Sequence, residues 1–287
     1  MLARRTVILG SATFLLPNVV RKDSMLTINP LAPLPVAEKA ADITAAAKYP
    51  ADMIFTSFAS SSADGENYLM RTNGTPNKII LYLHSWSGDL SQATLYPELT
   101  SIMDAILVAP NFGGPNNTAG ALGCQDSTDR IARVVSEVRY KTKLTRVYLV
   151  GPSGGGMASL LLLGRYPDLV YRASIWVPIF DLASLYATTS NQDLKRDMIA
   201  ALGSPPKDPD DPRYLARSPR SCLQNFNGRA TVIINTGSND TEVPKVNGEN
   251  ARDVMLAAAP GADVSLIEWP MGHEFKPLDA VKQLVIE

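Results

Sequence analysis

Residues 147–157 read VYLVGPSGGGM, and this stretch decides the predicted fold. The apolar run before Gly151 predicts a strand buried on both faces, and the residues from Gly155 onward have the apolar spacing of a helix. A G-x-S-x-G sequence between a strand and a helix predicts a sharp turn that exposes a serine at the edge of a sheet. Gly151 and Gly155 suit such a turn, because the positions two before and two after the serine must be small. Ser153 is therefore the candidate nucleophile.

A glycine-rich turn of this kind can instead bind phosphate through its N–H groups. The segment lacks the lysine of a Walker motif, and its glycine spacing differs from that of dinucleotide-binding turns. In the nucleophile interpretation, the N–H of Gly154 at the start of the helix faces an oxyanion that forms at Ser153. The context favours this second interpretation.

Strand-like and helix-like segments alternate on both sides of the turn. The predicted strands are 53–59, 67–72, 78–83, 106–109, 147–150, 173–177, 230–234 and 264–267. The predicted helices are 90–103, 127–141, 155–166, 245–258 and 279–286. The first two strands form a hairpin with its turn at 63–65, and the other six are expected to be buried on both faces. This alternation predicts an α/β domain with a mostly parallel sheet of about eight strands and helices on both faces.

The stretch 182–227 breaks the alternation. It contains a helical piece at 193–202 and a proline-rich patch at 205–212. Such a stretch predicts a small lid inserted between late strands, and a long surface connection is the alternative. We assign residues 52–287 to one catalytic domain, because sheets of this class often exceed 200 residues without splitting.

His273 is the candidate base. A serine hydroxyl is a poor nucleophile near neutral pH until a neighbouring base removes its proton. The chain has two histidines, and His273 follows the last predicted strand. Because loops after parallel strands gather at one edge of a sheet, His273 is expected to reach Ser153.

Asp240 is the candidate acid that orients the histidine. It follows the strand 230–234, one strand before the strand that precedes His273. The resulting order of serine, acid and histidine is the order of the α/β-hydrolase fold. Asp181, Glu242 and Glu274 are alternative acids.

The loop after the strand 78–83 is the candidate oxyanion loop. It begins His84-Ser85-Trp86, at the place where the α/β-hydrolase fold carries an HG-type loop. We expect the backbone N–H of Trp86 to be the second oxyanion donor beside Gly154, with Ser85 as the alternative. The ring of His84 is expected to hold the loop by hydrogen bonds.

Several of these loops carry a resemblance to a known family. The matching stretches are LHSWSGD (83–89), PNFGGPNN (110–117), GPSGGG (151–156), and GSNDTEVP (237–244) followed by Gly272-His273. The sequence resembles the catalytic domain of the prolyl-oligopeptidase-like (S9-type) serine hydrolases, and this resemblance supports Asp240 as the acid. One departure is Gly113, where many relatives have an arginine that contacts substrate. We also expect no β-propeller before the domain, because the first predicted strand begins at Met53.

The predicted chemistry is acyl transfer from an ester or amide to water through an acyl-enzyme on Ser153. We expect a small-molecule ester as substrate, with a short peptide cleaved by a peptidase or aminopeptidase as the alternative. Trp176 and Phe180 are candidate pocket residues, and the sequence shows no acidic cluster in the active-site loops that indicates a cationic peptide terminus. A non-catalytic binding protein is a remote alternative, since such proteins typically lack a triad residue and this sequence has a candidate for all three.

The composition excludes several other classes of function. The formal net charge of −1 gives no electrostatic footprint for nucleic acid. Cys124 and Cys222 have no CxxC spacing, and we expect two free thiols, with a single disulfide as the alternative. No cluster of histidines or cysteines has metal-ligand spacing, so no metal and no cofactor is expected.

The N-terminal residues differ from the rest. Arg4-Arg5 precede an apolar stretch at 6–20, which resembles a twin-arginine signal peptide and is too short and too broken by Pro17 to anchor in a membrane. We predict a leader at 1–23, a linker at 24–51, and export to the periplasm or the exterior. A disordered leader on a cytoplasmic protein is the alternative.

Overall fold

Eight strands form the central sheet of the computed structural model, which describes residues 54–58 and 66–285. The strands are β1 Ile54–Phe58, β2 Glu66–Asn73, β3 Lys78–Tyr82, β4 Ala105–Pro110, β5 Val147–Pro152, β6 Arg172–Trp176, β7 Thr231–Gly237 and β8 Val264–Trp269. Their order across the sheet is β1-β2-β4-β3-β5-β6-β7-β8. β2 runs antiparallel to both of its neighbours, and all other neighbouring pairs are parallel. The predicted mostly parallel sheet is confirmed, whereas the expected leader, linker and hairpin turn lie outside the described residues.

Helices cover both faces of the sheet. They are α1 Pro97–Thr100, α2 Gln125–Thr142, α3 Gly154–Arg165, α4 Leu182–Thr188, α5 Gln192–Leu202, α6 Pro212–Leu215, α7 Val246–Ala258 and α8 Pro277–Val285, with 3₁₀ helices at Leu90–Leu95, Pro219–Ser221 and Leu223–Asn225. Helices α2, α3 and α7 share an apolar cluster on one face, and α1 and α8 share a second cluster on the other. In the part of the chain that the structure describes, no helix combines the length and the apolar character that a membrane crossing requires.

Strand β3 shows why the sheet needs both layers. Ile79 and Leu81 belong to the cluster of α2, α3 and α7, whereas Ile80 and Tyr82 belong to the opposite cluster. All four side chains are fully buried. Because neighbouring residues of a strand point to opposite faces, a continuous apolar run requires cover on both sides. The two layers fix the strand ends, and the loops after β3, β5, β7 and β8 emerge at one edge.

Two elements differ from the sequence prediction. The helix expected at 90–103 is divided into a 3₁₀ helix and the four-residue α1, because Pro97 lacks an N–H and forces Tyr96 out of the helical region to φ −120° and ψ 82°. The sequence predicts that strand β8 is buried on both faces, but it is only partly buried, since it lies at the edge of the sheet.

A buried carboxyl group lies behind the sheet edge that carries the candidate loops. Glu66 is 1% exposed, and its Oε1 accepts a hydrogen bond of 2.7 Å from the N–H of Phe112. Its Oε2 lies 3.4 Å from a guanidinium nitrogen of Arg130. Burial raises the pKa of Glu66 from 4.5 to about 7, against the opposing effects of the Phe112 N–H and the Arg130 charge.

We predict that Glu66 makes the free energy of unfolding depend on pH. The raised pKa means that the folded chain holds a proton that the unfolded chain releases between pH 4.5 and about 7. Stability therefore falls as the pH rises through this window, by on the order of 3 kcal/mol. Glu66→Gln keeps an oxygen for the Phe112 N–H and should remove this decrease in urea unfolding series. Glu98→Gln, at a site that is not buried, is the matched control, and an unchanged pH slope in Glu66→Gln would contradict the prediction.

Candidate active site

Ser153 lies in a strained turn between β5 and α3. Its backbone has φ 54° and ψ −115°, a conformation that residues other than glycine rarely adopt. The N–H of Ser153 donates to the carbonyl of Trp176 at 2.8 Å, and its carbonyl accepts from Met157 at 2.9 Å. These bonds join the turn to β6 on one side and to the first turn of α3 on the other.

The flanking glycines are required by close backbone approach. A Cβ atom at Gly155 would lie 2.0 Å from the carbonyl oxygen of Leu83, and one at Gly151 would lie 2.4 Å from the carbonyl oxygen of Gly155. No side chain fits at these distances. The turn at Ser153 is thus held against both its own helix and the end of β3.

The structure brings Ser153, His273 and Asp240 together. His273 Nε2 lies 2.9 Å from Ser153 Oγ, and His273 Nδ1 lies 2.8 Å from Asp240 Oδ2. The second oxygen of Asp240 accepts from the backbone N–H groups of Glu242 and Val243, each at 2.9 Å. With Nδ1–H donating to the buried carboxylate, Nε2 is free to accept the proton of the Ser153 hydroxyl.

The alternative acids lie elsewhere or have other partners. Asp181 accepts from the first N–H groups of α4 and forms an ion pair of 2.7 Å with Arg220. Glu242 accepts from the side-chain amide of Asn191 at 2.7 Å. Glu274 is exposed. Asp240 is the carboxylate that contacts His273 in the described chain.

The loop after β3 places a backbone N–H beside Gly154. A Cβ atom at Gly154 would lie 2.6 Å from the backbone nitrogen of Trp86, so the two backbones are in contact. The alternative donor Ser85 is already engaged, since its N–H donates to Gln92 Oε1 at 2.7 Å. The geometry therefore favours Trp86 over Ser85 as the residue whose N–H faces the serine.

The ring of His84 joins this loop to the residues that follow β4. Its Nε2 lies 3.1 Å from the carbonyl oxygen of Asn111, and its ring stacks on Phe112 at a centroid distance of 4.0 Å. Burial lowers the pKa of His84, so the ring is neutral near pH 7. The stack links the loop to Phe112, whose N–H is bonded to the buried Glu66.

A cleft of about 570 Å³ opens over Ser153 and His273. Apolar side chains form part of its wall, and they are Trp86, Tyr96, Pro152, Val177, Leu194 and Phe275. The rim also includes residues from α5, within the helical insertion (residues 182–227). The structure thus places part of the insertion beside the candidate nucleophile.

Trp176 and Phe180 do not line this cleft, and the prediction that they form a pocket is wrong. Trp176 is fully buried on one side of the sheet, stacked on Trp269 at 5.6 Å, and Phe180 is buried in the cluster on the opposite face. Val177 lines the cleft instead. Its φ of 42° turns the chain at the end of β6, which a strand pattern cannot show.

Acidic side chains gather at the cleft, although the sequence indicated no such cluster. They are Asp193, Asp197, Glu242 and Glu274, and Arg196 is the basic side chain among the lining residues. Two of these carboxylates come from α5 and two from the loops after β7 and β8. Because these elements are far apart in the sequence, only the fold brings them together.

These side chains are not arranged as metal ligands. Among residues 54–58 and 66–285, no three or more His, Cys, Asp or Glu side chains form a metal-binding group. Cys124 and Cys222 are both free thiols, as expected. Cys124 Sγ accepts from the N–H of Ser127 at the start of α2, and Cys222 is buried.

Comparison with known proteins places the chain in a family. The sequence profile of the prolyl oligopeptidase family matches residues 116–270, a range that includes Ser153 and Asp240 and ends three residues before His273. The chain belongs to the prolyl oligopeptidase family. No curated protein sequence matches the chain.

Solved structures of similar fold include protein chains of very different length. The Pyrococcus horikoshii acylaminoacyl peptidase is 15% identical with a TM-score of 0.61, over 80% of this chain and 39% of that one. A Mycobacterium tuberculosis puromycin-hydrolyzing peptidase is 15% identical with a TM-score of 0.57, over 78% and 38%. The Staphylococcus aureus fluorophosphonate-binding serine hydrolase F is 17% identical with a TM-score of 0.59, over 82% and 98%. The chain thus spans about two fifths of the two peptidases, and at these identities the likeness concerns the fold.

We predict that Gly155→Ala destabilises the protein at the turn that carries Ser153. The new methyl group would collide with the backbone of Leu83, which cannot move without shifting β3. The free energy of unfolding should fall by about 3 kcal/mol or more, although alanine favours helix at this position. Gly120→Ala is the matched control, because a Cβ atom there meets nothing within 4 Å. Equal urea midpoints for the two variants would contradict the steric argument.

Proposed function

We propose that the protein is a serine hydrolase that transfers an acyl group to water through a covalent intermediate on Ser153. The observation that carries this proposal is the continuous chain from Ser153 Oγ through His273 to Asp240, with contacts of 2.9 and 2.8 Å. This is the arrangement that a serine nucleophile, its base and an orienting acid require.

The geometry supports the following sequence of steps. Ser153 Oγ attacks the substrate carbonyl while His273 Nε2 takes its proton, and Asp240 stabilises the imidazolium through Nδ1–H. The oxyanion of the tetrahedral intermediate accepts from the N–H groups of Gly154 and Trp86. His273 then donates its proton to the leaving group as the intermediate collapses. Water repeats the sequence on the acyl-enzyme and frees Ser153.

We favour an ester as the bond cleaved. An alkoxide leaves with less assistance than an amine, so ester cleavage demands less of the proton transfer from His273. The apolar wall of Trp86, Val177, Leu194 and Phe275 suits a small acyl group beside Ser153.

A second candidate is an aminopeptidase that acts on short peptides, and the acidic cleft favours it. Four carboxylates and one guanidinium line the cleft, which gives the site a negative field that attracts a free amino group. The family takes its name from a peptidase, and one solved structure of similar fold is named as an acylaminoacyl peptidase.

We predict that p-nitrophenyl acetate and butyrate are hydrolysed with a kcat/KM above that of aminoacyl p-nitroanilides. Ser153→Ala should remove the activity on all of these substrates, because every one requires the same nucleophile. The assay compares esters, free aminoacyl anilides and N-acetylated aminoacyl anilides with the same purified chain.

The outcomes separate the candidates. If free aminoacyl anilides match the esters and N-acetylation raises KM, the aminopeptidase replaces the esterase. If Ser153→Ala retains wild-type turnover, the proposed mechanism is wrong for both substrates.

A further inference from the structure

We propose that Asp197 of α5 is a positioning residue that holds Trp86 so that its backbone N–H faces the oxyanion at Ser153. This inference rests on the proposed function, since it assigns a support to one of the two oxyanion donors. It gives the helical insertion a part in the reaction itself.

The carboxylate of Asp197 is bonded directly to the oxyanion loop. The indole Nε1–H of Trp86 donates to Asp197 Oδ2 at 3.0 Å, across 111 positions of sequence. The side-chain amide of Asn117 donates to the same oxygen at 2.8 Å. Hydrogen bonds to a charged acceptor are stronger than those between neutral groups, so one oxygen joins two loops to α5.

Trp86 itself depends on contacts from outside its strand. β3 ends at Tyr82, so Trp86 has no ladder hydrogen bonds to fix its backbone. Its side chain belongs to the same apolar cluster as Leu194 and Met198 of α5. Helix α5 thus contacts Trp86 through both its apolar surface and its carboxylate.

The rest of the loop is held by other residues. The carbonyl of His84 accepts from the buried side-chain amide of Asn116 at 3.2 Å, and Ser85 is bonded to Gln92. In the described part of the chain, the polar side-chain contact of Trp86 is the one to Asp197. Loss of Asp197 therefore leaves the first part of the loop in place and removes the polar contact that orients the residue carrying the donor.

A displaced donor affects the transition state more than the bound substrate. The full negative charge on the carbonyl oxygen develops only in the tetrahedral intermediate, and the donor must lie about 2.7–3.1 Å from it. A positioning role for Asp197 predicts a loss in kcat with little change in KM. The Asp197 side chain is 21% exposed in the cleft, so it could instead attract a cationic substrate group directly. A direct contact of this kind predicts a raised KM with little change in kcat.

The test is a double-mutant cycle between Asp197→Ala and Trp86→Phe, assayed on a neutral and a cationic p-nitrophenyl ester. Trp86→Phe removes the indole donor and keeps the ring and the backbone N–H. Each single variant should lower kcat about 10- to 100-fold on both esters. This loss is smaller than the about 10²- to 10³-fold loss in kcat on removing an oxyanion donor, because the backbone N–H of Trp86 is displaced but still present. The double variant should lose no more than the larger single loss, because both changes break one contact. Asp197→Asn, which keeps an oxygen acceptor, should recover most of the activity.

The controls separate this inference from the proposed function. Asp208→Ala removes an exposed acidic side chain of the same insertion, away from the cleft, and should retain wild-type kinetics. Ser153→Ala must be inactive; if it is not, the proposed function fails. If Ser153→Ala is inactive but kcat is unchanged in Trp86→Phe, the positioning role is wrong. A raised KM for the cationic ester alone, or additive losses in the cycle, would also overturn it.

Discussion

The backbone of Ser153 is the constraint on which the rest of the site depends. Its positive φ costs on the order of 1–3 kcal/mol, and it persists only because the surrounding structure leaves no other conformation. Gly151 and Gly155 allow β5, α3 and the end of β3 to meet within contact distance. Backbone packing thus fixes the turn that carries the Ser153 hydroxyl at the cleft.

The partners of Ser153 come from three separate loops at one sheet edge. His273 follows β8, Asp240 follows β7, and Trp86 follows β3, so the strand register sets their spacing. Behind the Trp86 loop, the neutral ring of His84 and the bonded pair of Phe112 and Glu66 form a buried support. The strands thus place these residues at one edge, and helix α5 lines part of the cleft beside them.

Much of this arrangement is predictable from sequence because it depends on local patterns. The glycines of the turn, the order of Ser153, Asp240 and His273, and the apolar strands all follow from steric demands that a few neighbouring residues express. The structure brings these three together as expected. The α2 and α3 boundaries also lie within two residues of the predicted ones.

The pocket could not be predicted in the same way. The strand pattern predicts Trp176 in the pocket, but the chain turns at Val177. The large ring of Trp176 therefore packs in the core, and the smaller Val177 lines the cleft. The acidic lining combines α5 with two distant loops, and no short motif encodes how an insertion packs. Pro97 shows the opposite case, because a proline that ends one helical segment and begins the next is visible in the sequence of 90–103 itself.

The most direct test of a nucleophilic Ser153 is to map a covalent adduct. The full chain is treated with a fluorophosphonate, digested, and examined by mass spectrometry. The proposed mechanism predicts one adduct per chain on Ser153, with no adduct on the folded Ser153→Ala variant. Folded wild-type protein that forms no adduct, or an adduct on a different residue, would contradict it.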